Sequence, residues 1–202
     1  MDRDTAVMLA ALFAVVYMVT RQSDPDDDPG YEEPGLLDKA QAVFFDLTDL
    51  GITDPMEQKN VGAFLWVVRV SEGTADSDGY SRLVGGGQFD SFDDHPRVLV
   101  YLPKLGINSS AAGAYQILRR TWDGVAGKLG LRDFSPASQD AAAIELIRQR
   151  GAWADVKAGR FAAAVDKCKK EWASLPGAGY GQRENSLTYL QSAYLKAGGS
   201  LA

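Results

Sequence analysis

The chain has 202 residues, a net charge of −6, one His and one Cys. That length supports one domain with a sizeable core plus further segments. The lone Cys168 excludes an intrachain disulfide, and so few soft ligands exclude most multi-ligand metal sites. Six acids and no base fall in residues 24–33, "DPDDDPGYEE"; outside that stretch and the balanced first 23 residues, 19 acids meet 19 bases. A broad basic surface for nucleic acid is therefore not expected.

Residues 5–20, "TAVMLAALFAVVYMVT", carry no charge. As a helix they span about 24 Å, short of the ~30 Å hydrocarbon core. The flanks lack the basic start and small-x-small exit of a cleaved signal peptide, so residues 1–22 are expected to form an uncleaved membrane anchor. Residues 23–35, with three prolines and the acidic run, read as a solvated linker. Residues 36–54 read as a connecting amphipathic helix, with Leu36, Leu37, Ala40, Val43, Phe44, Leu47 and Leu50 at helical spacing and Gly51 as its stop.

A new unit is predicted over 55–202. Asp54 suits an N-cap, Pro55 the first helical position, and Glu57 the return arm of a capping box. This helix is predicted to reach Glu72, with Gly73 as a left-handed cap. Residues 79–93, around a glycine triplet, are expected to form a small hairpin or irregular sheet, and 103–108 a loop. Helices are predicted over 110–129, 136–150, 160–173 and 186–196, with Gly130, Gly151 and Gly198 near their ends. Cys168 falls in one of these patterns, where a free thiol is usually buried and inert. His95 precedes a proline in "DHPR" and reads as a turn residue. The fold class is α+β, mostly α, with one small β element just after the Glu72 helix.

Glu72 ends an apolar run, "VGAFLWVV" followed by "RVSEGT". A carboxyl at such a helix end loses solvation and its pKa rises. A neutral Glu can then give a proton to a glycosidic oxygen and later take one back. Most glycosidases need a second carboxylate. Asp76, Asp78, Asp90, Asp93 and Asp94 all follow Glu72 in loops, and spacing does not choose among them.

Six segments occur in order: "SEGT" (71–74), "GYSRLVGG" (79–86), "DHPR" (94–97), "GAYQIL" (113–118), "LGLRDFSPASQDAAA" (129–143) and "WASLPGAGYGQ" (172–182). Together, over about residues 56–198, they resemble the lambda-type endolysins of bacteriophages, peptidoglycan lytic transglycosylases. The resemblance implies a lysozyme-like two-lobed fold with a small β-hairpin region, preceded here by the N-terminal hydrophobic helix. It implies a cleft for peptidoglycan glycan strands, with Glu72 as the one acid/base and no cofactor or metal. Glu72 would protonate the oxygen between MurNAc and GlcNAc, then deprotonate the MurNAc C6 hydroxyl as it closes onto C1. The nucleophile belongs to the substrate, so positioning does much of the work.

The same resemblance implies sugar contacts from Ser71, Tyr80, Ser81, Tyr115, Gln116, Lys167 and Tyr180. Gln116 is expected near a helix start, and "VGGG" is expected to form the lip. Read without it, Tyr115 is core, Gln116 is surface and Lys167 is a solvated helix charge. Two positions depart from the family pattern: Ser81 stands where an Asp is expected, and Ala114 where a cation is expected. The partners implied are glycan strands and, through residues 5–20, a membrane, with the catalytic domain monomeric and facing the host periplasm. A virion-associated enzyme, a hydrolytic muramidase and a glycan-binding structural protein are the competing readings.

Overall fold

The computed structural model describes residues 47–103, 106–179 and 184–202. The anticipated anchor, linker and most of the connecting helix lie outside them, as does Tyr180. No helix among the described residues is long and apolar enough to cross a membrane.

The central element is helix α1, Pro55–Glu72. Asp54 caps it, its carboxylate accepting from Met56 N at 2.7 Å and Glu57 N at 3.3 Å. Glu57 does not close a capping box; its carboxylate instead takes Lys157 Nζ at 3.1 Å. Nearly every residue from Asn60 to Glu72 is buried, so α1 is wrapped on all sides, as an all-round apolar helix must be. Helices α3 (Pro136–Gln149), α4 (Trp153–Lys157) and α6 (Leu187–Lys196) pack against it, α5 (Phe161–Cys168) meets it through Phe161 on Phe64, and α2 (Arg119–Leu129) packs on α3. Phe64, Leu65, Ile144, Ile147, Phe161, Leu175 and Leu190 fill the main core. Asn60 fastens the C-terminus onto α1: its Oδ1 accepts from Tyr194 Oη at 2.9 Å and Ser200 N at 2.8 Å. Leu47, in a 3-10 turn over Leu47–Leu50, and Ile52 join this core. Packing thus begins before the Asp54 cap.

Two strands, β1 (Val100–Leu102) and β2 (Ile107–Ser109), form an antiparallel hairpin with Tyr101 opposite Asn108. The hairpin therefore frames the segment read as a loop, of which Ile107 and Asn108 are extended. Residues 79–93 hold instead two 3-10 turns, Gly79–Ser81 and Val84–Gly86, and a bridge between Arg82 and Gln88. Too few residues there are extended on both sides of the glycines to build a ladder. Val84, Leu102 and Ala111 form a second, small core with Val100, Ile107 and Leu118 packed against it.

Two helix boundaries also differ. Residues 110–118 are a folded loop, not the first turns of α2. Ala112 and Ile117 exchange both backbone hydrogen bonds, at 3.1 and 2.9 Å, and Gly113 and Gln116 have positive φ. Their alanines mimic a helical apolar stripe, but the chain closes on itself. The pattern read as 160–173 ends at Cys168, whose thiol is buried and pushed up to about 12 by that burial.

Candidate active site

Glu72 is the last residue of α1. Gly73 follows in the left-handed region, φ 70°, which a residue with Cβ adopts at a cost. Its N–H reaches Val70 O, and Thr74 N–H reaches Arg69 O, closing the helix end. Thr74 Oγ1 then lies 2.5 Å from Ala114 O, so the chain leaving Glu72 is fastened to the 110–118 loop.

The Glu72 side chain is 1% exposed. Oε1 accepts from Ser174 Oγ at 2.7 Å. Oε2 has no hydrogen-bond partner among the described residues. Burial raises the carboxyl from 4.5 to about 8, against which the Ser174 hydrogen bond works. Glu72 is therefore held neutral at neutral pH, with one oxygen engaged and one free. Arg69, one turn earlier, gives it no ion pair. Its guanidinium stacks 4.6 Å over the Tyr80 ring and donates to the Asp76 carbonyl at 3.2 Å.

Glu72 lines a small cavity of about 10 Å³ with Tyr115, Gln116, Leu118, Glu171 and Trp172, space on the scale of a single water. Gln116 is nine-tenths buried in its positive-φ turn, and its Nε2 donates to Gly113 O at 2.9 Å. Gln139 supports that turn: Oε1 accepts from Ala114 N at 2.8 Å, and Nε2 donates to Tyr80 O and Phe134 O. A Cβ on Gly113 (φ 78°) would meet Gln139 Oε1 at 2.2 Å, so this position needs glycine. His95 braces the same wall. Its Nε2 lies 2.9 Å from Ile117 O and its Nδ1 accepts from Arg97 N at 3.0 Å, the pattern of a neutral ring, and burial lowers its pKa.

The residues assigned to sugar contact divide. Gln116 and Tyr115 border the Glu72 cavity. The Tyr115 and Tyr80 hydroxyls, however, both donate to buried Asp140, at 2.6 and 2.7 Å. Two phenols that satisfy one buried carboxylate are structural, and neither offers its hydroxyl to a ligand. Ser71 also faces inward, its Oγ 2.9 Å from Val68 O and 2.8 Å from Ser174 Oγ; its position supports Glu72 rather than a sugar. Ser81 sits in the 79–81 turn, donating to Asp78 O at 3.0 Å. Lys167 is not among the cavity-lining residues; it pairs with Asp155 at 2.5 Å.

None of the candidate aspartates lines the cavity. Asp76 pairs with Arg82 at 2.7 Å. Asp94 takes Arg97 at 2.9 Å and Trp122 Nε1 at 3.2 Å. Asp78, Asp90 and Asp93 are exposed. The second carboxylate at the cavity is Glu171, which spacing did not single out because it falls at the end of a helical pattern. Ser174 was missed for a similar reason: a small hydroxyl in a turn has no sequence signal until the fold brings it to Glu72. Among the described residues no cluster of His, Cys, Asp or Glu is arranged to hold a metal.

The sequence model of the endolysin family matches residues 62–201. The chain belongs to the endolysin family. All six ordered segments, Glu72, Ser174 and the cavity wall fall within that match. The endolysin of Escherichia phage lambda is 47% identical over 146 residues, covering 69% of this chain and 91% of the relative. That of Escherichia phage P2 is 45% identical over 155 residues, covering 70% and 94%. Among solved structures, bacteriophage lambda lysozyme complexed with a chitohexasaccharide matches with TM-score 0.67 and 42% identity, over 75% of this chain and all of that one. A second structure of lysozyme from bacteriophage lambda matches at 0.65 and 43%, over 71% and 97%. The fold is thus lysozyme-like, helix-rich with a small two-stranded sheet.

Proposed function

We propose that this endolysin-family chain opens bacterial peptidoglycan as a lytic transglycosylase, with Glu72 serving in turn as acid and base. Peptidoglycan degradation follows from the family. The observation that supports the finer reading is the buried Glu72 carboxyl, raised to about 8, with one oxygen that has no hydrogen-bond partner among the described residues. The chitohexasaccharide held by the lambda relative supports a β-linked amino-sugar chain as the ligand here.

In this mechanism the Glu72 proton passes to the oxygen linking MurNAc C1 to GlcNAc C4, and that bond breaks. The resulting carboxylate then takes the proton of the MurNAc C6 hydroxyl as its oxygen bonds to C1. The product carries a 1,6-anhydro ring, Glu72 is neutral again, and no water is consumed. A lone acid/base suits this chemistry, since no protein nucleophile is required. Hydrolysis is the second reading, favoured by one observation: Glu171 gives the cavity another carboxylate.

Mass spectrometry of digested peptidoglycan separates the two. Anhydro-MurNAc ends, one water lighter than reducing ends, are expected throughout. Reducing MurNAc ends in their place would make the enzyme a muramidase.

For residues 5–20 the charge-free sequence supports a membrane tether, with the enzyme on the periplasmic face of the host inner membrane. Anchoring within a virion is the alternative. Fractionation of host membranes, with proteomics of purified particles, distinguishes them; a full chain that stays soluble without detergent removes the tether.

A further inference from the structure

We propose that Ser174 is a positioning residue that fixes the reactive proton of Glu72 on Oε2 by donating its own hydroxyl proton to Oε1. The proposal rests on Glu72 as the acid/base.

Three hydroxyl-type groups stand in a buried row. Ser71 Oγ is 2.8 Å from Ser174 Oγ, which is 2.7 Å from Glu72 Oε1, and Ser71 Oγ is also 2.9 Å from Val68 O. Ser71, Glu72 and Ser174 are all essentially inaccessible to solvent. Asn185 holds the two strands of chain together, its Nδ2 lying 3.4 Å from Ser71 O and 3.3 Å from Ser174 O.

The row holds three protons when Glu72 is neutral. Val68 O only accepts, so Ser71 gives its proton there, and Ser174 has one proton for either Ser71 Oγ or Glu72 Oε1, which leaves two arrangements. In the first, Ser71 donates to Val68 O, Ser174 to Ser71, and Glu72 Oε1–H to Ser174. The acid proton is then sunk on the inner oxygen and Oε2 has nothing to give. In the second, Ser71 still donates to Val68 O, and Ser174 donates to Oε1 instead. The proton must then sit on Oε2, the oxygen without a partner. Only this polarity makes Glu72 a useful acid. Only this polarity also survives proton transfer, because a carboxylate has no proton to donate to Ser174. A hydrogen bond to a charged acceptor is stronger than one to a neutral acceptor, so the Ser174 bond tightens as the glycosidic bond breaks. Such strengthening in the transition state raises kcat and leaves substrate binding little changed.

The test compares full-length wild type, Ser174→Ala, Ser174→Cys, Ser71→Ala and Glu72→Gln on purified peptidoglycan, with folding checked by circular dichroism. Ser174→Ala is expected to lose kcat by about ten-fold or more, the usual scale for a hydrogen bond to a charged group, with KM nearly unchanged. Its alkaline limb should move upward, since the group that favours the carboxylate is gone. A carbon-13 titration of the Glu72 carboxyl should move the same way. Ser174→Cys, a weak donor of nearly the same shape, should fall between. Ser71→Ala removes the competing acceptor and should change kcat by only about two- or three-fold, because Ser174 can still donate to Oε1. A folded Ser174→Ala or Ser174→Cys enzyme with the wild-type pH profile and kcat overturns the proposal. So does failure of both to fold, which would make the hydroxyl structural. If Glu72→Gln itself stays active, the acid/base reading fails first, and the control reports that separately.

Discussion

The two sides of the cavity each present one buried carboxyl, and they are furnished in opposite ways. On the α1 side, Glu72 has a serine hydroxyl and no ion pair among the described residues. On the facing segment, Glu171 Oε2 accepts from both Nε and Nη2 of Arg150, at 2.8 and 2.6 Å. Burial raises both carboxyls, but at Glu171 the guanidinium works against it. The difference teaches what separates an acid from a brace. A carboxylate given a cation at bonding distance is stabilised as an anion and keeps its place in the fold. One given only desolvation and a single neutral donor keeps its proton to neutral pH and can spend it.

The largest break in this comparison is Glu72→Gln. Gln keeps the shape but cannot cycle a proton, so activity on peptidoglycan should fall by at least ~10²- to 10⁴-fold. Its stability should respond in the opposite sense. Folded Glu72 holds its proton to about pH 8, whereas the unfolded group releases it near 4.5. Between those values the unfolded state binds fewer protons, so wild-type stability falls as pH rises, by up to about 1.4 kcal/mol per pH unit. Gln has no such term. Thermal melts should therefore show Glu72→Gln gaining on wild type from pH 5 to pH 8 and levelling off above. Parallel melting curves across that window would show that Glu72 is not neutral in the folded protein.

A smaller break removes the cation from the other side. Arg150→Met leaves Glu171 buried without its partner. Uncompensated buried charges are costly, and with Arg150 partly exposed a loss of about 1–3 kcal/mol is expected. The loss should shrink on acidification, as Glu171 takes up a proton, and the anhydro product should be unchanged. Melts at acid and neutral pH check the first point and product masses the second. Reducing ends appearing in Arg150→Met digests would show that freeing Glu171 recruits water.

Much of the α1 side was legible in the chain. Asp54, Pro55 and Gly73 are local signals whose mechanism acts within one turn, and they bound the helix where the structure does. The position of Glu72 at an apolar helix end implied its raised pKa before any fold was known. What escaped was long-range or disguised. Ser174 lies 102 residues from Glu72 in sequence, and no local rule pairs them. Glu171 read as one more helix charge until Arg150 was brought to it. Residues 110–118 carry alanines that suit a helix, yet the turn depends on Gly113 meeting Gln139, 26 positions on. The hairpin was misplaced because three-residue strands barely exceed the noise of an alternation pattern. Tyr80 and Tyr115 look like ligand residues in their motifs, and only their shared partner, Asp140, shows that they hold the core together.

The smallest expected effect sharpens the comparison most, because it concerns a cation the family resemblance placed near the sugars. Lys167 Nζ lies 2.5 Å from Asp155 Oδ2 and 3.2 Å from Gly151 O, and its side chain is nearly half exposed. Asp155 has a second partner, Arg160 Nε at 2.7 Å. These two cations hold its carboxyl below the usual range, Lys167 first. Lys167→Met therefore leaves Asp155 paired with Arg160, and an ion pair whose cation is half exposed and replaceable in this way is worth about 1 kcal/mol or less. Stability should fall by no more than that, and kcat and KM on peptidoglycan should match wild type. Glu72 then works without help from this charge, as a carboxyl whose proton is governed by burial and one serine. A rise in KM of about ten-fold, equal to roughly 1.4 kcal/mol of lost binding, would place Lys167 on the glycan instead. The binding surface would then run past the cavity to the α5 face, and the Asp155 pair would be one that substrate breaks.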